Sequence, residues 1–156
     1  MADREPRGYR ALRKGRFSES RRPYFITTVT HSRHPLFRDL YLARKVVQTM
    51  AFLEAEGSLR SWAYVLMPDH LHWLIEPIGD HSLSVILRRA KADASRKIND
   101  YRGTPGAPVW QRGFHDRALR REEDLREAAR YLVANPLRAG LVSAIGDYPH
   151  WDAEWL

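Results

Sequence analysis

Within MPDHLHWLIEP (67–77) two histidines, His70 and His72, stand one residue apart with Leu71 between them. The run is apolar and bounded by Pro68 and Pro77, so it reads as a strand. Successive strand side chains point to opposite faces, which puts His70 and His72 on one face and Leu71, Trp73 and Ile75 on the other. At about 3.3 Å per residue, their Cα atoms lie roughly 7 Å apart. Two neutral imidazoles at that spacing can converge on one divalent cation. They can equally be imidazoles on a solvated strand face, and His-x-His alone does not decide between the two. Glu76 offers a carboxylate further along the same face.

A second pair stands in RYLVANP (130–136). Tyr131 and Asn135 are four residues apart, so on a helix they stack on one side, at the edge of the stripe carrying Leu125, Ala129 and Leu132. Pro136 disfavours helical geometry at Asn135 itself. Taken alone, Tyr131 reads as a border aromatic and Asn135 as a helix stop. Taken with the histidines, the set acquires a chemistry. Two imidazoles and an amide oxygen make three donors and leave coordination positions open, as a catalytic metal requires. A cation held there polarises a phosphoryl oxygen, and the Tyr131 hydroxyl one helical turn from Asn135 is the candidate nucleophile. A phosphotyrosine link conserves the energy of a phosphodiester, so strand transfer needs no ATP.

The elements that must position these groups can be read along the chain. Its 156 residues, 44% hydrophobic with five Trp and seven Tyr, suffice for one domain with a real core. The absence of cysteine excludes disulfides, thiolate zinc sites, cysteine nucleophiles and deaminase-type zinc ligands, and it fits a reducing cytoplasm. No apolar run approaches the roughly 20 residues of a membrane span, and no secretory signal is expected. Residues 1–22 hold eight basic residues, Arg4, Arg7, Arg10, Arg13, Lys14, Arg16, Arg21 and Arg22, against Asp3, Glu5 and Glu19. That is +5 of the net +7, so 1–22 reads as a basic arm and 23–156 as a single domain. Such an arm suits a polyanion, or is a solubilising tail.

PYFITTVTH (23–31) reads as a strand, and the apolar spacing from Asp39 to Glu56 as a helix stopped by Gly57. SLRSWAYVLM (58–67) and HLHWLIEP (70–77) read as an antiparallel hairpin. A helix over Ser82–Tyr101 carries Arg88, Arg89, Lys91, Arg96 and Lys97 around an apolar stripe. VWQRGFHDRAL (109–119) reads as a fourth strand with Gly113 as an irregular point, and a third helix runs from Glu122 to near Pro136. Tyr148, Trp151 and Trp155 read as a closing segment in which Tyr148 tolerates loss of its hydroxyl. His31, His34, His81 and His150 read as surface residues; His115 pairs with Asp116 or meets substrate. The order β-α-β-β-α-β-α predicts an α+β fold, an antiparallel sheet with helices on it: a ferredoxin-like core plus a C-terminal catalytic helix.

YFITTVT, YVLMPDHLHWLIEP, VWQRGFHDRALR and REEDLREAARYLVANPLRAGLV together resemble the HUH endonucleases, and among them the single-tyrosine, REP-associated tyrosine transposases. The resemblance spans nearly the whole chain, and no motif residue is missing. It implies that Tyr131 attacks a single-stranded DNA phosphate to leave a 5′-phosphotyrosine and a free 3′-hydroxyl. It implies that His70, His72 and Asn135 hold Mg²⁺ or Mn²⁺. The implied substrate is the imperfect hairpin of a repetitive extragenic palindrome beside a short guide sequence, met by a monomer or homodimer in the cytoplasm at the nucleoid. Candidate DNA contacts are Arg7, Arg10, Arg13, Lys14, Arg16, Arg21 and Arg22 of the arm, Arg88, Arg89, Lys91, Arg96 and Lys97 of the second helix, and His115. The competing readings are a non-catalytic nucleic-acid-binding regulator and a metal hydrolase in which Tyr131 is dispensable.

Overall fold

The alternation of YFITTV becomes strand β1 (Tyr24–Val29), in which Tyr24, Ile26 and Thr28 are buried and the residues between them half-buried. A computed structural model describes residues 22–120 and 122–154. Helix α1 (Leu40–Ala55) starts where the Asp39 carboxylate accepts the N–H groups of Tyr41 and Leu42, and it buries Leu42, Val46, Met50 and Leu53. β2 (Leu59–Met67) and β3 (His70–Pro77) form the expected hairpin, with Met67 opposite His70 across Pro68–Asp69. α2 (Leu83–Arg102) is capped by the Ser82 hydroxyl and ends at Gly103, whose φ of 69° is the left-handed stop glycine supplies. β4 (His115–Ala118), α3 (Glu122–Val133), the single turn α4 (Asn135–Arg138) and β5 (Trp151–Ala153) follow.

All pairings are antiparallel and the sheet order is β4-β1-β3-β2-β5. The first four strands have the ferredoxin-like arrangement, and β5 extends it at the β2 edge. α1 and α2 cover one face of the sheet, over Leu66, Leu71, Trp73 and Ile75. α3 covers part of the other face, burying Leu125, Ala128, Ala129 and Leu132 against Ala63, Val65, Met67 and Leu74. The histidine face therefore carries a second core, where the sequence pointed to one core on the Leu71–Trp73–Ile75 side. Two local features produce it. Leu74 shares its face with His72, and the β2–β3 register shifts between Ser61 and Ala63, which turns Ala63, Val65 and Met67 toward α3.

The fourth strand is shorter than the predicted 109–119. Only His115–Ala118 pairs with β1, and Trp110 makes a single bridge to Thr30. Gly113 has a φ of 72°, and the Lys91 ammonium donates to the carbonyls of Gln111 at 2.7 Å and Gly113 at 2.6 Å. Those carbonyls are thereby taken off the ladder. Burial pushes the Lys91 amine down to about 8. The third helix ends at Val133, close to Pro136 as expected, and beyond Ala134 the single turn α4 carries a buried Pro136. Proline is tolerated there because the first-turn N–H groups have no intrahelical acceptor.

The closing segment is held more firmly than its sequence indicates. Tyr148 is buried and donates its hydroxyl to the Leu66 carbonyl of β2 at 2.6 Å. His150, expected on the surface, is buried beside the Tyr148 ring, while His31, His34 and His81 are exposed. Trp155 lies outside the described residues. Burial pushes the Tyr148 phenol up to about 12, above the roughly 10 of an unfolded tyrosine. A raised pKa means that the neutral phenol stabilises the fold fully below pH ~10, and that this contribution disappears as pH rises through about 12. Tyr148→Phe should therefore lower stability by about 1–2 kcal/mol at pH 7 in urea unfolding, because the hydrogen bond to β2 is gone. It should also flatten the decline between pH ~10 and ~12. Equal midpoints and m-values for the two proteins at pH 7 would contradict this role for the hydroxyl.

Candidate functional site

His70 and His72 project side by side from β3, their ring centroids 4.7 Å apart and their planes at 76°. Each is held through Nδ1. His70 Nδ1 lies 2.7 Å from the Asp69 carboxylate, whose other oxygen accepts from Arg33 at 3.0 Å. A carboxylate only accepts, so His70 Nδ1 is the donor, and in the neutral imidazole the lone pair then lies at Nε2. The Asp69 carbonyl accepts from both the amide and the hydroxyl of Thr30, which fixes the turn that carries the carboxylate. His72 Nδ1 lies 2.9 Å from the Thr27 hydroxyl on β1; the Nε2 lone pair is available when Nδ1–H donates to Thr27. Neither Nε2 has a hydrogen bond among the described residues.

Burial first, then the nearby His70 and the Arg138 charge, push His72 down to about 4. It is therefore neutral near pH 7, the form that binds metals. Burial opposes the charged Asp69 carboxylate, but the hydrogen bonds from His70 and Arg33 outweigh it and hold the acid below its ordinary range. A carboxylate orienting an imidazole whose far nitrogen is free is the usual support of a metal-binding histidine. Among the described residues no group of three or more His, Cys, Asp or Glu could complete a cation site. Among the described residues a third donor would therefore be an amide, hydroxyl or carbonyl oxygen. Glu76, expected as a helper, is instead engaged: its carboxylate accepts from the Trp62 indole at 3.1 Å.

Tyr131 lies near the C-terminal end of α3, whose buried stripe holds it over β2 and β3. The ring is 61% exposed, and the Arg138 guanidinium sits 3.7 Å from its centroid. Asn135 opens α4 and is half-buried, its carbonyl accepting the Ala139 N–H at 2.9 Å. Tyr131 and Asn135 thus stand on two helical segments rather than one continuous helix. Among the described residues no hydrogen bond or ring contact joins either of them to the histidines. The helix brings them over the same face of the sheet as the histidines.

The remaining sequence candidates separate. Arg7, Arg10, Arg13, Lys14, Arg16 and Arg21 lie outside the described residues, and Arg22 is half-buried beside β1. Arg88, Arg89, Lys91, Arg96 and Lys97 belong to α2, so the sheet stands between that helix and the histidines. Of these, Arg89 pairs with Glu56 at 2.6 Å, Arg96 with Asp93 at 3.1 Å, and Lys97 donates to Thr49 at 3.3 Å. The Arg89 hydrogen bond leads in holding the Glu56 acid down at about 2. Arg88 remains exposed. His115, in contrast, lies opposite Thr27, which lies opposite His72, so the three share one row on the histidine face. Sequence reasoning missed Thr27, Asp69, Arg33 and Arg138. Asp69 adjoins His70 and Arg138 follows Tyr131 by seven residues, so those two had a signal.

The family description for IS200-like transposases matches residues 19–133, from the end of the arm through both histidines to the end of α3. The chain belongs to the IS200-like transposase family. The chain is also 30% identical over 89 residues to a REP-associated tyrosine transposase of Escherichia coli K12, covering 56% of this chain and 50% of that one. The chain spans about half the length of the curated relatives it matches. Its fold is that of a solved REP-associated tyrosine transposase bound to a REP hairpin, with a TM-score of 0.72 and 22% identity over 87% of this chain and 79% of that one. Among the described residues no helix is long and apolar enough to cross a membrane.

Proposed function

We propose that this IS200-like transposase cuts and rejoins single-stranded DNA beside REP-like hairpins, with Tyr131 as the nucleophile. The observation that carries the reading is the histidine pair, each ring fixed through Nδ1 with both Nε2 atoms left free. A purely structural pair would have no need of that arrangement. His70, His72 and the Asn135 amide would hold Mg²⁺ or Mn²⁺, which when bound supplies Lewis-acid polarisation of the phosphate. The Tyr131 oxygen forms a bond to phosphorus as the bond to the 3′ oxygen breaks, and the phenolic proton ends on that 3′-hydroxyl. The product is a 5′-phosphotyrosine, which a second 3′-hydroxyl can attack in reverse. The hairpin in the substrate is supported by the relative solved with a REP hairpin, and a cytoplasmic place at the nucleoid goes with it. Incubation of the protein with a labelled hairpin and Mn²⁺ tests the reading: a protein–DNA adduct that survives denaturation is expected. Tight binding with no adduct would instead favour a non-catalytic regulator.

The arm gives a separate expectation. Deleting 1–22 removes +5 of charge, so hairpin affinity should fall. The slope of log K against log salt should become shallower by about 0.7–0.9 for every phosphate that the arm neutralises. Superimposable salt plots for the two proteins would make the arm a solubilising tail.

A further inference from the structure

Arg138 has a position that neither the histidine pair nor the tyrosine accounts for. Its guanidinium lies 3.7 Å from the Tyr131 ring centroid. Four arginines of the fold meet carboxylates: Arg33 with Asp69, Arg60 with Glu154, Arg89 with Glu56 and Arg96 with Asp93. Arg138 has no hydrogen bond or ion pair to a protein acceptor among the described residues. Its backbone is nonetheless fixed, because its amide donates to the Ala134 carbonyl at 3.0 Å and Pro136 of the same turn is buried. Among the described residues, a cation with no carboxylate partner thus stands over the ring of the candidate nucleophile.

We propose that Arg138 clamps the phosphate seated at Tyr131, donating from its guanidinium to the non-bridging oxygens. The proposal rests on the reading of Tyr131 as the nucleophile. A guanidinium can stack on an aromatic face and still donate in a planar fork that matches two phosphate oxygens, which an ammonium cannot do. Hydrogen bonds from a charged donor to an anion are the strong ones, and they matter most where charge accumulates in the transition state. In the transfer step phosphorus gains the Tyr131 oxygen and loses the 3′ oxygen, while Arg138 keeps all its protons. The guanidinium would also hold the phosphate against the ring edge that carries the hydroxyl. Seven residues of spacing, with the chain breaking at Ala134 between them, put the clamp and the nucleophile on two short segments that share one anchor on the sheet.

The experiment uses the full chain in Mn²⁺ and a hairpin with single-stranded flanks, carrying one neutral methylphosphonate at each linkage in turn. Binding is measured in the Tyr131→Phe background, so nothing is cut, with and without Arg138→Gln. One linkage should weaken binding roughly tenfold when neutralised for the protein that keeps Arg138, and leave the Arg138→Gln protein unaffected. With Tyr131 present, the same linkage should be the one cut. Arg138→Gln should slow adduct formation there by about 10²–10³-fold, and Arg138→Lys, which keeps the charge and loses the fork, should fall between. Arg138 is exposed, so both variants should melt with the parent. If no linkage distinguishes Arg138 from Gln, or if Arg138→Gln forms adduct at the parental rate, the residue only stacks on Tyr131 and the proposal fails. If one linkage does distinguish them and the parent still forms no adduct, the clamp stands and the cleavage reading falls.

Discussion

Tyr131→Phe is expected to bind hairpin DNA and Mn²⁺ like the parent protein and to form no covalent adduct. The loss should be on the order of 10⁴-fold or more, because a nucleophile acts as a unit with its neighbours. The substitution removes one oxygen from a ring that is 61% exposed. Its hydroxyl makes no hydrogen bond among the described residues, so stability should change by no more than about 0.5 kcal/mol. The ring itself stays, and with it the surface on which Arg138 stacks. A denaturing gel of labelled hairpin after incubation separates three mechanisms. Adduct from the parent alone makes Tyr131 the nucleophile. Equal cutting by both proteins without adduct makes an activated water the nucleophile. No cutting by either makes the protein a binder. Tyr148→Phe is a poor control because that hydroxyl holds the closing segment to β2. Tyr101, exposed on the far side of the sheet and stacked on Tyr41, is the better one, and Tyr101→Phe should give normal adduct.

The parts of this fold that sequence could reveal are those set by neighbours in the chain. Asp39 and Ser82 announce their helices because a cap acts within three residues. Pro68–Asp69 announces the hairpin, and the alternation in β3 gives the face that His70 and His72 share. What stayed hidden depends on distant partners. The length of β4 is decided by Lys91, twenty residues before the first carbonyl it takes. The second core depends on a register shift within β2, which no single alternation pattern can show. At the site, Asp69 could be read as a neighbour of His70. Thr27, 45 residues from His72, follows only from the pairing of β1 with β3. Arg138, seven residues beyond Tyr131, had a signal in its helical spacing, which the break at Ala134 weakened.

The histidine pair carries the other large effect, and the second core changes what its removal should look like. The parent protein should bind Mn²⁺ in calorimetry, and at a free concentration a hundred times Kd the fold should gain about 2.7 kcal/mol. For a chain of this size that is a rise of several degrees in Tm. With His70 and His72 both replaced by Ala, the rise and the adduct should vanish together. The mutant should also be less stable without metal. His72 is half-buried, with its ring near Phe25 and its Nδ1 on Thr27. Truncation there strands the Thr27 hydroxyl at a cost of about 1–3 kcal/mol. His70→Ala alone leaves the Thr27 bond intact and breaks only the bond to Asp69, which retains Arg33. The single variant should therefore fold more nearly like the parent while losing most of its Mn²⁺ response, which separates ligation from packing. Metal affinity carried unchanged into the double mutant would sink the histidine assignment, because no stability effect can restore a missing ligand.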